Sequence, residues 1–391
     1  MVTSPKALIT PDVLVWAREE SGYTRLEVAQ KIKVDLEKLV SWEQGDKQPS
    51  MSQLRKIANI YKRPIGIFFL STPPDRTIKM HDFRRLSSGD MQGESPQLRL
   101  EIRRAYQRRE TALDLFEEIE EPPPILDKEI DISDNPEQVA QTIRMWLKLT
   151  YAEQISWKNP YKAFNWWRSA IESLGILAFQ ISGVEVSEMR GFSIHERPLP
   201  IIAVNIKDRP RGRIFTMLHE LVHILLHEGG ICSLHETLLR SNQEQHIEAF
   251  CNSVAGAIIV PREYLELENV VTKHSSVPAW TDEELKTLST RYQASRETIL
   301  RRLLIIGKTS EDFYQQKREE FIGEYELLEK EQEDQNIVIQ PFQKTINSVG
   351  TSYTRLLIDG YNRGAINAST LSEALGIRLK HLNKLEQAVF S

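Results

Sequence analysis

The sequence predicts an α+β chain that is mostly helical and divided into several domains. Three observations predict it. Apolar residues recur at helical spacing over most of the length; two short apolar runs bounded by turn residues, 175–180 and 199–205, interrupt that spacing; and the proline clusters Pro73-Pro74 and Pro122-Pro123-Pro124 cut the chain. At 391 residues there is room for two or three cores. The charged fraction of 27% and apolar fraction of 40% are those of a globular protein. No stretch approaches the roughly 20 apolar residues of a membrane span, and no basic region leads into an apolar run with a cleavage site, so a soluble, cytoplasmic protein is expected. Two cysteines, Cys232 and Cys251, are too few for a disulfide framework and fit a reducing compartment. The net charge of −5 exerts no global pull on nucleic acid, so any such binding must come from a local patch.

In chain order, residues 10–70 read as closely spaced short helices carrying Val13, Leu14 and Ala17, then Leu26, Ala29 and Ile32, then Leu36, Leu39 and Val40, then Leu54, Ile57, Ala58 and Tyr61. Thr24 is a predicted N-cap, Gly45 closes a helix, and Ser50 or Ser52 opens the next. Residues 75–95 read as an irregular linker, and a charged helix follows over about 96–120, its Arg99, Arg103, Arg104, Arg108 and Arg109 forming either a solvated or a basic face. A helix capped near Ser133 or Asn135 runs to about 148, another spans about 160–174, and the two apolar runs then form strands. Pro198 and Pro200 place the strand at 199–205 on a sheet edge, where an extended substrate could pair with it. A helix over 211–227, helices from 241 to 305, a charged helix at 310–335 and small helices to the end complete the chain.

The helix at 211–227 contains His219-Glu220-Leu221-Val222-His223, an H-E-x-x-H pattern. Residues four apart share one helical face, so His219 and His223 can turn their imidazoles toward one ion while Glu220 stands beside them. A catalytic zinc needs a third protein ligand and an open position for water, whose proton a neighbouring carboxylate removes. Glu220 suits that role. For the third ligand, His227, Glu228, His235, His246 and Glu248 are the candidates; His227 lies about a turn too far along, and Gly229 stands where a metzincin would carry its third histidine. Arg190, His195 and Asn205 are candidates to line the substrate cleft.

The wording WWRSAIESLGILAFQ, RGFSIHERPLPIIAVN, RIFTMLHELVHILLH and EAFCNSVAGAIIVP, between Trp166 and Pro261, resembles the ImmA/IrrE metallopeptidase family. The resemblance implies a zincin-like peptidase domain with a small sheet around the H-E-x-x-H helix, Zn2+ as cofactor, and Glu248 as third ligand in the E-x-x-A-N-x-x-A helix. Cys251 departs from the usual alanine, and Asn252 matches the family's asparagine. Its implied targets are transcriptional repressors cleaved in stress, mobile-element or phage-related responses.

Residues 13–70 resemble the Cro/repressor type of helix-turn-helix through Ser21-Gly22-Tyr23-Thr24, Glu27-Val28-Ala29, Leu39, Ser41-Trp42-Glu43-Gln44-Gly45, Pro49, Leu54 and Ile57-Ala58. The resemblance implies a five-helix domain whose first motif helix is about 24–31 and whose recognition helix is about 35–43. Lys33, Lys38 and Ser41 are its candidate contacts to double-stranded DNA. Lys33 replaces the glycine common in the turn, and five basic residues meet five acidic ones from Thr24 to Gln48, so the module serves either DNA or protein contacts. The segments 289–304 and 369–385 share its outline. The expected organisation is a helix-turn-helix domain at 1–72, a linker and charged helix at 73–125, a zinc metallopeptidase domain at 126–270, a helical extension at 271–335 and a helical C-terminal region at 336–391. The expected activity is endopeptidase cleavage of a protein substrate, with Glu220 as catalytic base. The alternative is a DNA-binding regulator or antitoxin or defence component whose zinc domain senses or binds a partner.

Overall fold

A computed structural model describes residues 5–74, 94–227, 231–232, 242–274, 279–332 and 340–390. Their contacts divide the chain into two compact units, which part at Tyr106–Gln107. The expected linker at 75–95 lies outside the described residues, apart from Glu94 and Ser95.

The first unit packs α1 (Pro11–Glu20), α2 (Arg25–Ile32), α3 (Leu36–Glu43), α4 (Met51–Tyr61) and a 3-10 turn, Ile65–Phe69, around Leu14, Ala17, Ala29, Leu39, Trp42, Leu54 and Phe68. Thr24 and Ser50 each close a capping box, with Glu27 and Gln53. Burying Glu43 on α3 is tolerable because Arg18 Nε on α1 and Arg25 Nε on α2 donate to its two carboxylate oxygens at 2.7 and 2.6 Å. That ion pair locks α3 to both preceding helices. α5 (Pro96–Glu118) straddles the division. Of the two readings of its arginines, solvated or basic face, neither describes the whole helix: Leu98, Ile102, Ala105, Ala112 and Leu115 are buried, and the arginines are engaged. Arg99 Nη1 donates to Glu19 O, Arg103 Nη2 to Tyr61 O and Lys62 O, and Arg104 Nη1 to Glu101.

The second unit begins with the rest of α5, where Arg109 Nε donates to Pro198 O and Leu199 O and Arg108 lies over the Phe179 ring. There follow α6 (Pro136–Trp146, capped by Asn135), α7 (Tyr151–Ser156), α8 (Pro160–Glu172), β1 (Leu177–Ile181), β2 (Gly191–Ile194), β3 (Ile201–Asn205), α9 (Pro210–Leu225) and β4 (Ile231–Cys232). Next come α10 (Asn242–Ile259), α11 (Arg262–Leu265), α12 (Asn269–Thr272), α13 (Asp282–Tyr292), α14 (Arg296–Ile305) and α15 (Glu311–Gln332). The chain closes with α16 (Pro341–Val349), α17 (Thr351–Asn362), α18 (Ala368–Leu375), a 3-10 turn Leu379–His381 and α19 (Leu382–Phe390).

The sheet order is β1-β3-β2-β4, with β1 parallel to β3 and the other pairs antiparallel. This corrects the edge placement of the strand at 199–205, since β3 lies between β1 and β2 and is buried along its whole length. Its prolines do not break a ladder because both precede the strand, and Pro200 serves only as acceptor, taking Leu177 N–H at 2.8 Å. β1 is one edge of the sheet, and α16 packs against it. The fastening is a buried pair on α8: Arg168 donates to the carbonyls of Ile346 and Asn347 at the end of α16, while Glu172 accepts from Ser352 N and Oγ at the start of α17. Cation and anion thus each meet the helix end whose dipole favours them.

Candidate metal centre

α9 is buried along nearly all of its length, packed on β2 and β3 with α8 and α10 beside it. An amphipathic helix would expose one face; this one turns even its polar residues inward, His219, Glu220 and His223 being 4%, 1% and 2% exposed. The two Nε2 atoms face each other at 3.0 Å. Glu248, on α10, closes the group, with Oε2 3.4 Å from His219 Nε2 and Oε1 3.2 Å from His223 Nε2. These three are the one group of potential metal ligands among the described residues. Ligand atoms about 2.0–2.1 Å from a tetrahedral zinc stand about 3.3 Å from one another, so the spacing and the N2O donor set fit that ion. Burial would raise the Glu248 carboxyl, but hydrogen bonds and the charges of His219 and His223 hold it far below the usual range.

Glu220 is held differently. Burial pushes its carboxyl up, and the charges of His223 and His219 and a hydrogen bond from Ser193 offset only part of that. Ser193 Oγ, itself buried on β2, donates to Oε2 at 2.6 Å, while Oε1 is buried and accepts no hydrogen bond from the described residues. One oxygen is fixed and the other is open. β2 comes this close because residue 191 is glycine: a Cβ there would stand 2.5 Å from Thr216 Cγ2 and 3.4 Å from Glu220 Oε1. Sequence spacing names Gly191 only as a neighbour of the cleft candidate Arg190 and does not single out Ser193. The signal was present in RGFSI, but a four-residue strand carries too little alternation to show which side chains face α9.

The other candidates are placed as follows. Glu248 sits in the second turn of α10. His227 follows the end of α9 in the left-handed region, φ 59°, and its Nε2 is 3.0 Å from Glu129 and 3.2 Å from Arg197. His246 is exposed on α10; Glu228 and His235 lie outside the described residues. Arg190 reaches Asp208 Oδ2 at 3.7 Å and lies over the Tyr325 ring. His195 is half-buried just past β2. Asn205 does not line an open cleft: it is fully buried, its amide donating to Val184 O and Met189 O, because a turn enclosed on all sides needs its carbonyls satisfied. In the first unit Lys33 is exposed in the left-handed position of the turn, φ 59°, Lys38 lies over the Trp42 ring at 5.9 Å, and Ser41 Oγ donates to Lys38 O.

Two family models match the chain. The IrrE N-terminal-like domain, peptidase family M78, matches residues 171–304, which include all of these site residues from Arg190 to Glu248. A helix-turn-helix model matches residues 14–68. No curated protein matches the chain. No helix among the described residues is long and apolar enough to cross a membrane. Residues 171–304 thus resemble an IrrE-like peptidase M78 domain, and residues 14–68 of the same chain resemble a helix-turn-helix domain.

Proposed function

We propose that the chain is a zinc-dependent endopeptidase acting on a protein substrate, with His219, His223 and Glu248 as metal ligands and Glu220 as general base. The observation that carries this reading is the convergence of two imidazole nitrogens and a carboxylate within 3.4 Å beside a second carboxylate with one open oxygen. Bound there, zinc would act as a Lewis acid on water and on the scissile carbonyl. Glu220 takes a proton on Oε1 and later gives it to the leaving amine, while the Ser193 hydroxyl holds Oε2 so that the open oxygen keeps its aim.

The substrate segment is best accommodated on β2. α16 packs on the β1 edge, β3 is central, and among the described residues β4 pairs with Gly191 and Phe192 alone. An extended peptide can therefore continue the ladder at Ser193 and Ile194, next to Glu220. The family resemblance favours a transcriptional repressor as the protein cleaved, and the helix-turn-helix match favours DNA as a further partner. Glu220→Gln tests catalysis: it should retain zinc and lose cleavage of the protein that accumulates in cells carrying the variant. A biological effect that survives the substitution would instead favour a regulator whose zinc domain binds a partner.

A further inference from the structure

The three segments that share the helix-turn-helix outline in sequence also share one local design. In the first unit α2 ends on Lys33 with φ 59°, α13 ends on Gln293 with φ 53°, and α18 ends on Gly376 with φ 61°. In each, the next N–H reaches back five residues, Val34 to Ala29 O, Ala294 to Ser289 O and Ile377 to Ser372 O, at 3.0–3.1 Å. The following helix begins three residues after the left-handed one, at Leu36, Arg296 and Leu379. This bend joins the two helices of a helix-turn-helix, and it is a general helix ending: Lys62 after α4 and Lys148 after α6 carry the same left-handed residue and backward hydrogen bond, so what sets the three segments apart is the face of the second helix.

The second helices differ in what they leave outside. α14 buries Ile299, Leu300 and Leu303, and its arginines are engaged: Arg296 with Glu324, Arg301 with Tyr314, Arg302 with Val260 O. α3 exposes Asp35 and Glu37 beside Lys38. The 3-10 turn Leu379–His381 runs into α19 through a helical Leu382, φ −61° and ψ −47°, and only Leu385 and Val389 of α19 are buried. The exposed residues Lys380, Asn383, Lys384 and Gln387 fall at i, i+3, i+4 and i+7, one helical face. That face holds two cations and two amides and no carboxylate; Arg378 is exposed just before it, and Glu386, off the face, accepts from Asn362. Lysine, asparagine and glutamine are among the side chains that meet phosphates and base edges in a major groove.

We propose that residues 351–390 are a second nucleic-acid-binding module, which lays the Lys380–Gln387 face of its last helix against double-stranded DNA. The module would anchor the second unit on the same duplex class that the helix-turn-helix match suggests for the first. Neither the zinc site nor cleavage enters the argument.

The test is binding of the full chain to a mixed-sequence duplex of about 30 base pairs, followed by fluorescence anisotropy from about 50 to 200 mM salt. The Lys380→Gln/Lys384→Gln variant should bind more weakly at low salt, and its log–log salt slope should be shallower by about 1.8, the loss of two phosphate contacts. Lys380→Arg/Lys384→Arg should restore the slope. An unchanged thermal melting curve shows that the variant is folded. Affinity and slope equal to the parent's would overturn the proposal, as would failure of the folded full chain to bind duplex at low salt. Loss confined to a Lys33→Gln/Lys38→Gln variant would assign the binding to the first unit and overturn it equally.

Discussion

Two ligands four residues apart are a property of a single helical turn, and this is why His219 and His223 could be paired from the sequence alone. Glu248 could not be fixed that way, since its reach depends on how α10 crosses α9; as a proposed ligand it rests on what the family resemblance implies and on its distances to the two imidazoles. The burial of the three groups gives a graded expectation. Each histidine offers one nitrogen to the centre, and Glu248 bridges both. His219→Ala and His223→Ala should each reduce bound zinc from about one per chain to near none, and Glu248→Ala should lose most of it. His227→Ala and His246→Ala should keep it, because the first is tied to Glu129 and Arg197 and the second is exposed. Metal analysis after dialysis checks this ranking, and full zinc in either ligand-histidine variant contradicts the site.

At the scale of elements, the helices were legible wherever caps and spacing agreed. Thr24, Ser50 and Asn135 do cap their helices, and α9 falls where the apolar spacing placed it. The sheet was less legible: strand order comes from which elements pair across the chain, and Pro198 and Pro200 suggested an edge that belongs to β1. Also hidden from sequence was the way α10 is held. Its last carbonyls, with that of the next residue, Val260, accept from three different helices: Ile258 O from Arg144, Ile259 O from Gln154, and Val260 O from Arg302. Two of those donors are cations placed at the negative end of the helix dipole. Gln154 is fully buried and also meets Arg144 Nη1 and Tyr292 O. Gln154→Leu, of similar size, strands two carbonyls and a guanidinium donor, and should cost about 2–3 kcal/mol. Denaturant unfolding of the zinc-loaded protein measures it; a midpoint equal to the parent's would show that these carbonyls do not need the cap.

For the whole molecule, the expected start of the peptidase domain at residue 126 is set against what α5 contributes before it. Arg109 satisfies Pro198 O and Leu199 O and lies 3.3 Å from Glu196, holding the loop that leads from β2 into β3. Leu115 packs where α17 has glycine: a Cβ on Gly360 would stand 2.4 Å from Leu115 Cδ1. Both residues belong to the second unit by their contacts, and neither could be assigned from sequence, where the helix reads as charged and the proline triplet as the boundary. We therefore propose that the independent folding unit starts near Gln107. A fragment of residues 107–391 should melt cooperatively and bind about one zinc. A fragment of residues 126–391 loses the buried Leu115, worth about 2–5 kcal/mol by itself, and leaves the 198–199 carbonyls without their partner. It should melt well below the longer fragment or fail to stay soluble. Equal melting of the two fragments by calorimetry would restore the boundary at 126 and make the second half of α5 an ornament of the fold rather than part of its core.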